Sequence, residues 1–109
     1  MLSELTKITE YDLPEHYAQL TPPQKESLQI WIATNLAPIT SLNKRCTSYG
    51  LKHFFEASPD GFYISNGMFK GAMIAMGYHV EDVSAQNWHF NVSQKSVNRL
   101  YEWINKRRS

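Results

Sequence analysis

One cysteine among 109 residues, Cys46, has nothing to pair with, which excludes an internal disulfide and a cysteine-built metal knot. Its expected role is that of a small buried hydrophobe. No stretch approaches the roughly 18 apolar residues that a membrane span requires. Met1 to Glu10 mixes acids with Lys7 and contains no apolar signal-peptide core. The expectation is a protein that stays in the cytoplasm and has no membrane partner. A strong excess of charge is also lacking: the net value is +1, too little for nucleic-acid binding by bulk charge. Internal repeats and low-complexity tracts are absent.

Motifs that carry chemistry are equally sparse. There is no Gly-Xaa4-Gly-Lys phosphate loop, no Gly-Xaa-Ser-Xaa-Gly elbow, and no carboxylate pair spaced for acid and base roles. The four histidines, His16, His53, His79 and His89, do not form a His-Xaa3-His pair that would direct two ligands at one metal. His79 and His89 could face each other on neighbouring strands and hold zinc, but two solvent-side strand residues are the simpler reading. A non-enzymatic protein with no catalytic residue, cofactor or metal is expected.

What the chain does have is enough bulk for one core: 42% of residues are hydrophobic and 13% aromatic, with tryptophan at 31, 88 and 103. The charge is unevenly spread. Residues 1–26 carry two basic against five acidic side chains, a net of −3, whereas residues 27–109 carry nine against five, a net of +4. An anionic partner would meet the later part.

Residues 1–20 read as an adapter segment, with Asp12 capping a short helix that starts at Pro14 and runs to about Ala18. Residues 21–109 read as one domain. Thr21 caps a helix to about Asn35 with Leu28, Trp31, Ile32 and Leu36 on one face, and Pro38 stops it. Thr47 caps a second helix to about Ala57, with Leu51, Phe54 and Phe55 as its stripe. Gly50 within it, costly in a helix, suggests close approach of another backbone. Ser58-Pro59-Asp60-Gly61 marks a turn in which glycine is free to take positive φ, and Phe62 to Ile64 is extended. Ser65 caps a third helix from Asn66 to Met76, ended by Gly77. Phe69, Ala72, Met73 and Met76 point inward there, and Asn66, Lys70 and Gly71 point outward.

Alternation in Tyr78 to Val80 and in Trp88 to Val92 predicts two half-buried strands joined by Glu81 to Asn87. Ser93 then caps a last helix, 94–107, with Val97, Leu100, Tyr101 and Ile104 inward and the basic tail Lys106-Arg107-Arg108 at its end. Helix, turn, helix and hairpin in that order give an α+β class: a mostly helical winged-helix-like domain with a small β-hairpin and an added C-terminal helix.

In such a domain the start of the third helix is the natural contact for nucleic acid, because small and polar residues let the backbone approach phosphate or base edges. Ser65 and Asn66 meet that need, Lys70 adds a charge one turn on, and Asn66 could pair with adenine. Lys44, Arg45 and Lys52 lie at or near the start of the second helix, where a helix-turn-helix touches the DNA backbone. Glu81 and Asp82 at the wing tip would repel phosphate, which shifts weight to the basic last helix.

Thr47-Ser48-Tyr49-Gly50-Leu51-Lys52-His53, Tyr63-Ile64-Ser65-Asn66-Gly67-Met68-Phe69-Lys70-Gly71-Ala72-Met73, Gly77-Tyr78 and Asn87-Trp88 together resemble a pattern in small proteins of Gram-positive phages and integrated mobile elements. The resemblance covers about residues 43–93 and implies a genetic context rather than an activity. The element order is also similar to winged-helix modules of phage and plasmid replication proteins, although the turn between the second and third helices is longer than theirs. Packing accounts readily for Tyr49, Gly50, Phe69 and Ala72 of the pattern. Lys52, His53, Asn66 and Lys70 remain as the first candidates for a binding face.

The leading expectation is therefore a nucleic-acid-binding accessory or regulatory protein of a mobile element, with DNA bound through Lys44, Arg45, Lys52, His53, Ser65, Asn66 and Lys70. The alternative is a protein-interaction module, an inhibitor or adaptor of a host or element-encoded enzyme, anchored by Tyr11, Tyr17, Tyr63 or Tyr101. Val97, Leu100, Trp103 and Ile104 suggest a homodimer through the last helix.

Overall fold

The computed structural model describes residues 10–108; the readings made for residues 1–9, the start of the adapter and the missing signal core, lie outside them. Four α-helices form where side chains cap them. The helix α1, Pro22–Asn35, starts with a reciprocal box in which Thr21 Oγ1 accepts the Gln24 N–H (3.3 Å) and Gln24 Oε1 accepts the Thr21 N–H (2.9 Å). The helix α2, Ser48–Ala57, is capped by Thr47, whose hydroxyl accepts from the Gly50 N–H. Ser65 accepts the Met68 N–H to open α3, Asn66–Ala75. Beyond α3, Gly77 takes φ +91°, the left-handed conformation in which a side chain is strained. Ser93 Oγ accepts the Ser96 N–H at the start of α4, Gln94–Arg108.

Apolar residues at helical spacing close one core: Leu28 and Ile32 of α1, Leu51 and Phe55 of α2, Phe69 and Met73 of α3, and Val97 of α4, with Ile64, Phe90 and Val92 from the connections. Trp31 packs edge-on against Phe55 and Phe69, with ring centroids 5.6 and 6.5 Å away. Among the described residues no helix is long and apolar enough to cross a membrane.

The α+β winged-helix expectation is overturned. No strand or sheet occurs among the described residues, only isolated antiparallel bridges at Val80–Phe90 and Pro38–Val92. The expected half-burial of 88–92 is not seen either, since Asn91 is buried along with Trp88, Phe90 and Val92, and the segment's backbone bonds mostly go elsewhere. Ile39, Asn43 and Ser48 donate their N–H groups to the carbonyls of Asn91 (2.9 Å), Phe90 (2.8 Å) and Trp88 (2.8 Å). Side chains take much of the rest: the His79 N–H goes to Asn91 Oδ1 and the Trp88 N–H to Ser48 Oγ. With its donors and acceptors spent on the 39–48 connection and on side chains, 88–92 cannot build a ladder with 78–80.

Two glycine readings also change. A Cβ on Gly50 would meet only Thr47 Oγ1, at an ordinary 3.6 Å, so no other backbone approaches there. Gly61 does not take positive φ; it is needed for space, because a Cβ would lie 2.0 Å from the Phe55 carbonyl oxygen.

Residues 10–19 of the adapter segment pack against the domain. Residues Glu10–Asp12 and Pro14–Gln19 form two 3₁₀ turns, with Leu13 rather than Asp12 preceding the second, and they lie along α3. Gly67 and Gly71, one turn apart, create the room: a Cβ would fall 2.1 Å from the Leu13 carbonyl oxygen at Gly67 and 2.3 Å from Tyr17 Cβ at Gly71. On a solvent-facing helix, glycine to alanine stabilises by about 1 kcal/mol. Here Gly67→Ala is expected to destabilise by about 1–3 kcal/mol, because the backbone of Leu13 has to move. Urea unfolding measures the sign, and a gain in stability would mean that residues 10–20 do not seat against α3.

Candidate functional site

Four of the seven residues expected to face nucleic acid are buried. Lys70 is 1% exposed, and Lys52, Ser65 and Asn66 are scarcely more. The outward placement of Asn66, Lys70 and Gly71 is therefore corrected: residues 10–20 and the 81–88 connection cover that side of α3. Lys70 Nζ donates to the carbonyls of Asp12 (2.9 Å) and Ala85 (3.3 Å) and stands 4.7 Å above the Trp88 ring. Asn66 Nδ2 faces three acceptors, Asp12 Oδ1 and the Gln86 carbonyl at 2.9 Å and Asn87 Oδ1 at 3.1 Å, while Asn66 Oδ1 has no protein partner. Burial pushes the Lys70 amine below its ordinary value, and the nearby Asp12 charge resists that shift. Ser65 is occupied as the α3 cap.

Lys52 belongs to a second arrangement. Its ammonium meets Glu56 Oε2 at 2.9 Å beneath the rings of Tyr49 and Tyr63, 5.3 and 5.1 Å from their centroids. The same carboxylate oxygen accepts the Ile64 N–H, and His53 Nδ1 reaches Glu56 Oε1. Burial alone would raise the Glu56 carboxyl, but the Lys52 and Ile64 hydrogen bonds, with the Lys52 and His53 charges, hold it below its ordinary value. Lys44 and Arg45 are exposed, and Lys44 lies 3.6 Å from Glu81 in a surface pair of little energetic weight. The seven residues thus fall into separate groups, of which only Lys44, Arg45 and His53 are exposed.

The structure thereby gives the Thr47–Trp88 pattern a packing explanation. Ser48 Oγ holds the Trp88 N–H, Asn66 holds Asn87, Lys70 lies on Trp88, and Gly67 and Gly71 admit the N-terminal segment. The paired glycines one turn apart were the sequence signal for that docking. The two histidines considered for zinc do not converge on a metal: His89 Nδ1 donates to the Cys46 carbonyl at 2.8 Å, and His79 is exposed. Among the described residues no group of three or more metal-ligating side chains is assembled. Burial raises the Cys46 thiol above its ordinary value despite neighbouring Arg45, which suits an inert side chain.

A partly apolar concavity lies elsewhere. A groove of about 750 Å³ runs between α1, the end of α2 and α4. Ser27, Ile30, Trp31, Thr34 and Asn35 form its α1 wall, and Ser96, Arg99, Leu100 and Trp103 its α4 wall. Those intervals of three and four residues present one face of each helix to the gap. Phe54 and Phe55 contribute from α2, and Asp60 stands at the turn beyond it. Ile30 is 58% exposed, Phe54 and Trp103 are half-buried, and the Arg107 guanidinium sits 4.9 Å from the Trp103 ring centroid. The inward expectation for α4 holds at Val97 and Leu100 but fails at Tyr101, which is half exposed and packs edge-on against Phe54.

No family model matches the chain, and no curated protein and no solved structure matches it significantly.

Proposed function

We propose that the protein is a protein-interaction module, an adaptor or inhibitor that engages another protein through the groove between α1, α2 and α4. The observation that supports this reading most is the exposure of Ile30 in a concavity it shares with Trp31, Phe54, Leu100 and Trp103. A single exposed isoleucine is ordinary. Clustered in a concave site with two tryptophans and an arginine, it has the composition of an interface hot spot. Burial of Lys52, Ser65, Asn66 and Lys70 removes most of the face on which the nucleic-acid reading relied.

The test is site-specific photo-crosslinking in lysate of the native host. A photoreactive amino acid at position 30 is expected to capture a discrete protein in the presence of nuclease. The same group at position 74, exposed on α3, is expected to capture none. Equal capture from both positions would sink the groove reading. So would an absence of capture together with salt-sensitive retardation of DNA that Lys95→Glu abolishes; that pair of results would move the function to nucleic acid held by α4.

A further inference from the structure

Resting on the groove as the docking surface, we infer that its occupant is an acidic amphipathic helix of another protein, apolar toward Trp31, Phe54 and Trp103 and carrying its carboxylates along the edge that faces α4. The two walls argue for a helix. Each is one face of a helix about two turns long, roughly 12 Å at 1.5 Å per residue, and the groove is lined by side chains. A strand would need a free sheet edge, and none exists among the described residues.

Charge selects the edge. The α4 side displays exposed Lys95, Arg99, Lys106 and Arg107 against the single acid Glu102. The α1 wall is uncharged, with Ser27, Thr34 and Asn35 as its polar members, and Asp60 is the one acidic lining residue. A partner with carboxylates toward α4 and neutral polar groups toward α1 matches both walls. The same pattern disfavours a second copy of this chain. Identical α4 helices laid antiparallel set Lys106 and Arg107 against Lys95 and Arg99, and laid parallel they set each cation near its own equivalent. Both arrangements oppose like charges.

The test uses the full-length protein and three synthetic amphipathic helical peptides that share one Leu/Phe/Trp face and carry glutamate, glutamine or lysine along one edge. Binding is followed by NMR chemical-shift perturbation and calorimetry. At low salt the glutamate peptide is expected to bind at least tenfold more tightly than the lysine peptide, with shifts confined to the groove and a preference that shrinks as salt screens it. Arg99→Glu is expected to narrow the difference between the two charged peptides, and Ile30→Glu to weaken all three; both positions are exposed, so the fold should tolerate the changes. No preference for glutamate, including no binding by any peptide, overturns the inference. A dimeric mass by light scattering that Ile30→Glu converts to monomer also overturns it, as does a crosslink from position 30 to residues 1–9 of the same chain. If position 30 captures a foreign protein while glutamate confers no advantage, the docking surface stands and only the acidic-helix assignment fails.

Discussion

Lys70→Glu is expected to destabilise the fold by about 3–5 kcal/mol, the range for breaking a buried charged arrangement by changing one member. A domain of this size has only about 5–15 kcal/mol in total, so much of the chain should be unfolded at 37 °C. The cause is local. The ammonium that bonds to the Asp12 and Ala85 carbonyls, near the Asp12 carboxylate, would be replaced by an anion facing the same oxygens and the electron-rich face of Trp88. Lys70→Met, which keeps the length and removes the charge, should cost less, about 1–3 kcal/mol for carbonyls left without a donor. Urea unfolding followed by circular dichroism separates the two variants. If Lys70→Glu stayed within 1 kcal/mol of the parent, residue 70 would be in solvent, and a binding role for that side of α3 would return.

Trp88→Ala should be comparably severe, at about 3–5 kcal/mol for truncating a buried large aromatic. More than volume is lost. The indole Nε1–H donates to the Val83 carbonyl, the ring underlies Lys70 and meets Phe90 edge-on, and the backbone N–H is held by Ser48. Without the ring, the 81–88 connection loses its contact with Lys70 of α3 and its own Val83 tie, and only the backbone bond to Ser48 of α2 remains. Hydrogen exchange should accelerate there before the rest of the protein opens. The pair Lys70→Met and Trp88→Leu, in which each change removes the cation–ring contact, gives a cleaner measure: a double-mutant cycle should return a coupling of about 1 kcal/mol. Additive effects would show that the cation and ring merely lie near each other.

Of these two residues the sequence placed Lys70 in a recognition helix and Trp88 in a hairpin strand, which shows where sequence reading succeeds and where it stops. Thr21, Thr47, Ser65 and Ser93 cap as expected because a cap is a contact between near neighbours, and the apolar periods of α1, α2 and α3 follow from burial of one face. Which segment covers the opposite face is not a local property. Asn66 and Lys70 carry the polarity of solvent-facing residues, and only the positions of Asp12, Ala85 and Gln86 make them interior. The hairpin failed similarly. Alternation at 88–92 suggested one buried and one solvent face, but Asn91 is buried along with Trp88, Phe90 and Val92, and Ile39, Asn43 and Ser48 take the segment's carbonyls. The groove left a partial trace: Leu100 and Trp103 were read as part of a dimer face, but Ile30 is ordinary until α1 and α4 are placed side by side.

The sequence distances bridged by Lys70 and Asn66 also order events during synthesis. Asp12 is 54 positions from Asn66 and 58 from Lys70, and the ring beneath that ammonium is contributed by Trp88. At roughly 5–20 residues per second on the ribosome, the stretch from residue 12 to residue 88 takes on the order of 4–15 s to translate. Throughout that interval the Asp12 region has emerged or is emerging without its complete set of partners. The part of the domain made earliest is thus fastened only when its most distant contributor arrives.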